Sequence, residues 1–276
     1  MPRRNSSVVG REFGIGVRHA IEQTKMTHRE IARMLDWDES KLSDLVRGKG
    51  GVSESEVLQL LAFCRVPPAE VRRLLALFRE TRETGYLQIP ADGVPDLVRS
   101  LVEQERLANV ITVWSMNLIP GRLQTVDYMR AVVEGSARSK SVDYEEVIAA
   151  KIKRRELFHW SREFVFYIHE QALRLPVGSP DVMKDQLIHL LAMAQRSYVA
   201  VRIVPISIGA HAGLGGSFMH LGYEKFEPVV YLEGENSSLF LEDKGSLATY
   251  AEVLRLLDRQ ALDAEQSKEL INSILI

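Results

Sequence analysis

The stretch THREIARMLDWDESKLSDLVRGKG, residues 27–50, tightly limits what the first part of this chain can become. Apolar residues recur at Ile31, Met34 and Leu35 and again at Leu42, Leu45 and Val46, the spacing of helices that bury one face. Only Asp36, Trp37 and Asp38 lie between them, so two short helices must meet across a tight turn. Such a pair needs a small residue inside its first helix, a turn residue that tolerates positive φ, and apolar anchors at set offsets in its second helix. Ala32 is the small residue, and Asp36 follows four positions on. Asp, like Asn, enters the left-handed region more readily than most side chains. Leu42 and Leu45 fall six and nine positions after Asp36. Thr27 and Asp38 stand where each helix wants an N-cap.

Helical texture continues on both sides. Phe13, Val17, Ala20 and Ile21 mark a preceding helix. Ser53 and Glu56, in SESE, form a capping box before the next apolar run. Pro67-Pro68 ends that run and opens a stripe of Val71, Leu74, Leu75 and Phe78. Residues 1–84 therefore read as an all-α, five-helix domain. TGYLQIPADGVP (84–95), with two prolines and two glycines, reads as a linker over 85–95. Beyond it, over 96–276, the texture changes. Helical patterns run through 95–115, 122–134, 143–161, 180–196, 244–261 and 263–275. FVFYIHE (164–170), VAVRIVPI (199–206), GSFMHLGYE (216–224), VVYLEG (229–234) and SLFLED (238–243) read as strands. Short links between the last three predict antiparallel pairing. The expectation is α+β overall, the second domain being mixed α/β with a largely antiparallel sheet.

Composition narrows the class. Hydrophobic content of 46% and charged content of 26% are those of a globular chain of 276 residues. No apolar run reaches the length of a membrane span, and MPRRNSSVVG lacks a signal peptide's apolar core, so a cytoplasmic protein is expected. Net charge is only -2, but residues 1–84 hold 15 Lys/Arg against 12 Asp/Glu and the remainder 20 against 25. A mildly basic head on an acidic body suits a DNA-binding module joined to a domain that does not touch DNA. A single cysteine, Cys64, excludes an internal disulfide and reads as a small buried hydrophobe. Trp37, Trp114 and Trp160 read as packing residues.

EIARMLDWDESKLSDLVRGKGGVS resembles the XRE, or lambda-repressor-like, helix-turn-helix family, whose domain has five helices. WSMNLIPGRLQTVDYMRAVV (114–133), EQALRLPVG (170–178), GAHAGLGGSF (209–218) and VVYLEGENSSLFLED (229–243) resemble the effector-side domain of a large actinobacterial set of such regulators, including the WhiJ type. That domain has also been labelled antitoxin-like. The resemblance implies a transcriptional regulator, commonly encoded beside a small antagonist protein related to BldB, and no established enzymatic activity. It also implies a homodimer reading double-stranded operator DNA, since one such helix contacts only a few base pairs. Ser40 and Lys41, at the start of the second helix, are then the candidates for base edges, Lys41 at a guanine. Ser43, Arg47, Gly48 and Lys49 would approach phosphates, with His28 and Arg29 from the preceding helix. Asp38 as N-cap and Glu39 in the first turn suit the positive end of the helix dipole. Asp44 departs from the family, whose members often carry Arg there (SKVSRIE against SKLSDLV). Either it accepts from a cytosine amine or it faces solvent.

The second domain lacks the motifs an enzyme would need. Its histidines are His159, His169, His189, His211 and His220, and no GxSxG elbow, HExxH helix or paired Cys/His spacing accompanies them. GLGG precedes a strand rather than opening a helix, unlike a dinucleotide fingerprint. No catalytic residue, metal or cofactor is expected. The loop holding His211, Gly213, Gly215 and Gly216 is a turn that could close over a ligand or partner. LIPGRLQT (118–125) reads as a helix end, a Pro-Gly turn and a newly capped helix. The expected function is a DNA-binding repressor controlled through its second domain. The alternatives are an antitoxin-like protein that sequesters a small partner and autoregulates and, distantly, a DNA-anchored enzyme.

Overall fold

The computed structural model describes residues 7–81, 86–88, 95–136, 144–155, 158–234 and 237–275. The chain divides into two compact units, one made of residues 1–88 with 225–227 and 239–243, the other of the remainder.

Five helices build the first unit: α1 (Val8–Gln23), α2 (His28–Met34), α3 (Glu39–Val46), α4 (Glu54–Phe63) and α5 (Pro68–Glu80). Four of these starts have a chemical cause. Ser7 accepts from the Gly10 amide at 3.0 Å, and Thr27 with Glu30 and Ser53 with Glu56 form complete capping boxes. Pro68 opens α5, where its missing N–H costs nothing. The ends are equally regular. Asp36 at φ 56°, Gly48 at φ 70° and Arg65 at φ 54° each follow a helix in the left-handed region. After α2 the Trp37 amide donates to Ala32 O at 2.8 Å and the Asp36 amide to Arg33 O at 3.3 Å, the paired bonds of a Schellman motif. The core joins Phe13, Val17, Ile21, Ile31, Leu42, Leu45, Leu60, Leu61, Leu74 and Phe78. The glycines of α1 bring two backbones together, since a Cβ on Gly14 would lie 2.5 Å from Val46 O. Strand β1 (Tyr86–Gln88) lies within the expected linker; residues 85 and 89–94 of that stretch fall outside the described residues.

The second unit centres on a mixed sheet containing, in order, β6 (Val229–Glu233), β5 (Phe218–Gly222), β2 (Val110–Ser115), β3 (Glu163–His169) and β4 (Val199–Val204). Strands β2, β3 and β4 run parallel, while β5 pairs antiparallel with both β2 and β6. Around it lie α6 (Pro95–Leu107), α7 (Val126–Glu134), α8 (Tyr144–Arg155), α9 (Glu170–Arg174), α10 (Pro180–Met193), α11 (Lys244–Gln260) and α12 (Ala264–Leu275). A last strand, β7 (Ser238–Leu241), belongs from Leu239 onward to the first unit. The chain is α+β, as expected. One element corrects the sequence reading: the helix expected over 95–115 stops at Leu107, and VITVWS forms β2. The Asn109 amide donates to Gly222 O at 2.9 Å and Asn109 O accepts from the Glu163 amide at 3.0 Å, so sheet pairing takes over there. Likewise α8 ends at Arg155, short of the expected 161.

LIPGRLQT follows a strand, not a helix, and contains a 3-10 turn at Gly121–Leu123 before Thr125 caps α7. Its arginine is structural. Arg122 is buried with its Nη2 2.6 Å from Glu105 Oε2, and Arg154 Nε donates to the same oxygen at 3.1 Å. Burial pushes the Glu105 carboxyl up, but Arg154 and Arg122 more than offset it and hold it below the usual range. This triad ties α6, the turn and α8 together.

Candidate nucleic-acid interface

The turn built by Asp36 and Trp37 fixes how α3 leaves α2. On α3, Leu42, Leu45 and Val46 face the core, while Ser40, Ser43, Asp44 and Arg47 form an i, i+3, i+4, i+7 stripe on the opposite side. That outward stripe is the candidate surface for DNA. The hydroxyls of Ser40 and Ser43 hydrogen-bond to nothing among the described residues, whereas Arg29, Lys41 and Lys49 around the stripe are paired. Arg29 Nε of α2 lies 3.2 Å from Glu39 Oε1, the two side chains being 84% and 65% exposed. Lys49 Nζ lies 3.7 Å from Asp44 Oδ1. Lys41 contacts Glu56 Oε1 of α4, and its ammonium sits 4.7 Å from the centre of the Trp37 ring. The other Glu56 oxygen accepts from the Ser53 amide at 2.7 Å. The Lys41 hydrogen bond, aided by Ser53, pulls the Glu56 carboxyl down to about 2.

Against the sequence expectations, Ser40, Ser43, Asp44 and Arg47 share one face, His28 and Arg29 stand exposed at the start of α2, and Lys49 follows α3. Lys41 sits on the flank, turned to α4. Asp38 occupies the N-cap position, but its side chain makes no capping bond, which corrects that reading. Glu39 pairs with Arg29 besides lying in the first turn. Glu56 was legible as a cap of α4; its hold on Lys41, fifteen residues away, was not.

In the second unit the glycine-rich loop is fastened rather than loose. His211 caps a 3-10 turn (Ala212–Gly215), its Nδ1 accepting from the Gly213 amide at 3.1 Å. His169 Nδ1 accepts from the Gln171 amide at 3.3 Å at the start of α9. The two rings stack with centroids 5.1 Å apart, and the buried Trp114 meets His211 edge-on at 5.3 Å. Trp114 Nε1 donates to Gly213 O at 2.9 Å, and a Cβ on Gly213 would come within 2.3 Å of that ring. Burial pushes both imidazoles below their ordinary value, and His169 depresses His211 further. Gly209 and Gly216 take positive φ in this loop, a Cβ added at Gly215 would meet nothing within 4 Å, and Leu214 is 57% exposed.

Trp160 is 76% exposed, so it does not pack as expected; Trp114 does, and Trp37 is half-buried against the first core. Cys64 is buried, and burial pushes its thiol up. Among the described residues no three or more His, Cys, Asp and Glu side chains gather as a metal site, and no helix is long and apolar enough to cross a membrane.

Residues 12–74 match the model of a helix-turn-helix domain, which contains α2, the turn and α3. With the geometry above, this supports a helix-turn-helix regulator of the broad XRE type and suggests a DNA-binding role. Residues 98–273 match the family described as Domain of unknown function (DUF5753), and the chain belongs to that family. A search of curated proteins found no match.

Proposed function

We propose that the chain is a sequence-specific transcriptional regulator of the WhiJ type. As a homodimer it binds operator DNA, acts as a repressor, and is relieved through its second unit by a small partner protein. The observation that carries this reading is the outward stripe of α3, held by the Asp36 turn and flanked by His28, Arg29 and Lys49. Phosphate contacts by these flanking residues would set register, and groups on the stripe would meet base edges in the major groove. Dimerisation supplies two such helices for a two-fold site. The loop with His211, Gly213, Gly215 and Gly216, which presents exposed Leu214, is the candidate surface for the partner.

The test is genome-wide mapping of bound sites with and without the product of the neighbouring small reading frame. A two-fold motif upstream of genes derepressed by deletion, with occupancy lost when the small protein is supplied, is expected. Failure of the purified full-length chain to retard any of the mapped promoter fragments at low salt refutes DNA binding; unchanged occupancy refutes the partner.

A further inference from the structure

We infer that Lys41 is a positioning residue of the recognition helix and that base edges are read by Ser40 and Ser43; this rests on the DNA-binding reading above. Helix geometry separates the two roles. Ser40 and Ser43 lie on the outward stripe with Asp44 and Arg47, whereas Lys41 stands about 100° around the helix from Ser40, toward the buried Leu45 side. From that flank its ammonium reaches Glu56 of α4 and covers the ring of Trp37 in the turn. One side chain therefore bridges the turn, α3 and α4.

The pair is better held than its neighbours on this surface. The Lys41 and Glu56 side chains are 28% and 32% exposed, against 84% and 65% for Arg29 and Glu39. Glu56 is itself fixed by the Ser53 amide and hydroxyl, so it offers an ordered anchor. A lysine reaching a guanine would have to abandon both the carboxylate and the ring. The serine hydroxyls have nothing to give up, and a hydroxyl can donate to or accept from a base edge.

The experiment is selection from a randomised duplex library with the full chain, giving the preference at each position for wild type, Lys41→Ala, Glu56→Gln, the double variant, Ser40→Ala and Ser43→Ala. Gln preserves the capping box while removing the charge. Lys41→Ala and Glu56→Gln are each expected to lower the ratio of specific to non-specific binding by roughly two- to fivefold, spread over the half-site. The double variant should lose no more than either single one, because both remove the same tie. Ser40→Ala and Ser43→Ala should each flatten one or two adjacent positions. A loss of roughly fivefold or more at a single position in Lys41→Ala, with Glu56→Gln leaving that position intact, makes Lys41 a base reader and overturns the inference while DNA binding stands. So does wild-type behaviour of both Lys41→Ala and Glu56→Gln. If wild type enriches no sequence, specific DNA binding falls and the inference falls with it.

Discussion

Lowering the pH through the imidazole range should destabilise the second unit through His169 and His211. Each uses Nδ1 to accept a backbone N–H, so the neutral rings carry their proton on Nε2. A second proton must go to Nδ1, where it faces the Gln171 or Gly213 amide hydrogen and breaks that cap. Two protonated rings would also be stacked 5.1 Å apart. The facing charged group is Glu170, which favours protonation of His169 without offsetting burial. Both folded-state values are depressed, so above the ordinary imidazole value of 6.5 the folded and unfolded states are alike neutral. As pH falls below 6.5 the unfolded chain takes up protons that the folded one refuses, and stability is lost until the folded values are reached. Each such group removes at most about 1.4 kcal/mol for every unit by which its folded value lies below the ordinary one. Trp114, in contact with the His211 ring, reports it. Urea unfolding followed by its fluorescence, with Trp37→Phe and Trp160→Phe to silence the other indoles, should show the midpoint falling from pH 6.5 to 5.5. His169→Asn/His211→Asn offers an amide oxygen to the same N–H groups and cannot titrate. Its pH dependence should shrink by up to two protons, leaving the contributions of the similarly depressed His189 and His220. An unchanged slope in that double variant refutes the reasoning.

Further outcomes follow from other sites. Glu105→Gln leaves Arg122 and Arg154 without their carboxylate in a buried site and should cost about 3–5 kcal/mol in urea unfolding; a cost below about 1 kcal/mol would show the triad to be well solvated. Gly213→Ala forces a methyl into the Trp114 ring and should cost about 1–3 kcal/mol, with a shift in indole emission as the check. Gly14→Ala sets two effects against each other. Alanine gains about 1 kcal/mol of helix propensity, but its Cβ would lie 2.5 Å from Val46 O and force α1 away from the end of α3. The clash should win, lowering the melting temperature of the full chain and weakening duplex binding.

What could be read directly from the sequence was local. The turn between α2 and α3 was legible because a residue tolerant of positive φ, a small residue four positions before it and two leucines after it lie within a few turns of chain, and Asp36 indeed takes φ 56°. The capping boxes at Thr27 and Ser53 were legible for the same reason. Strand β2 was not. Its apolar residues continue the run of α6, and only partners far along the chain decide the matter: Trp114 sits between Tyr167 of β3 and Phe218 of β5. Arg122 looked like part of a turn, because its partners Glu105 and Arg154 come from separate helices. The histidine-lined loop was half legible: glycines and His211 marked it, while the stacking on His169 depends on the sheet that brings β3 and the loop together.

Carboxylates on α3 repel a phosphate backbone, and their pairing changes what they cost. Glu39 and Asp44 have Arg29 and Lys49 as partners, and exposed pairs of this kind are worth about 0–1 kcal/mol. A phosphate can therefore take Arg29 or Lys49 at small expense, but the abandoned carboxylate then stands near the duplex and subtracts from the gain. Each such exchange contributes less to affinity than a free cation would. Binding by this surface should accordingly depend on salt less steeply than its count of Lys and Arg suggests. A larger share of its discrimination must then come from the uncharged groups on the outward stripe. The same reasoning ranks the pairs: Arg29–Glu39, the most exposed, yields first, and Lys41–Glu56, backed by Trp37, yields last. A helix whose peripheral charges open before its anchoring pair keeps its pose while the phosphates are being engaged.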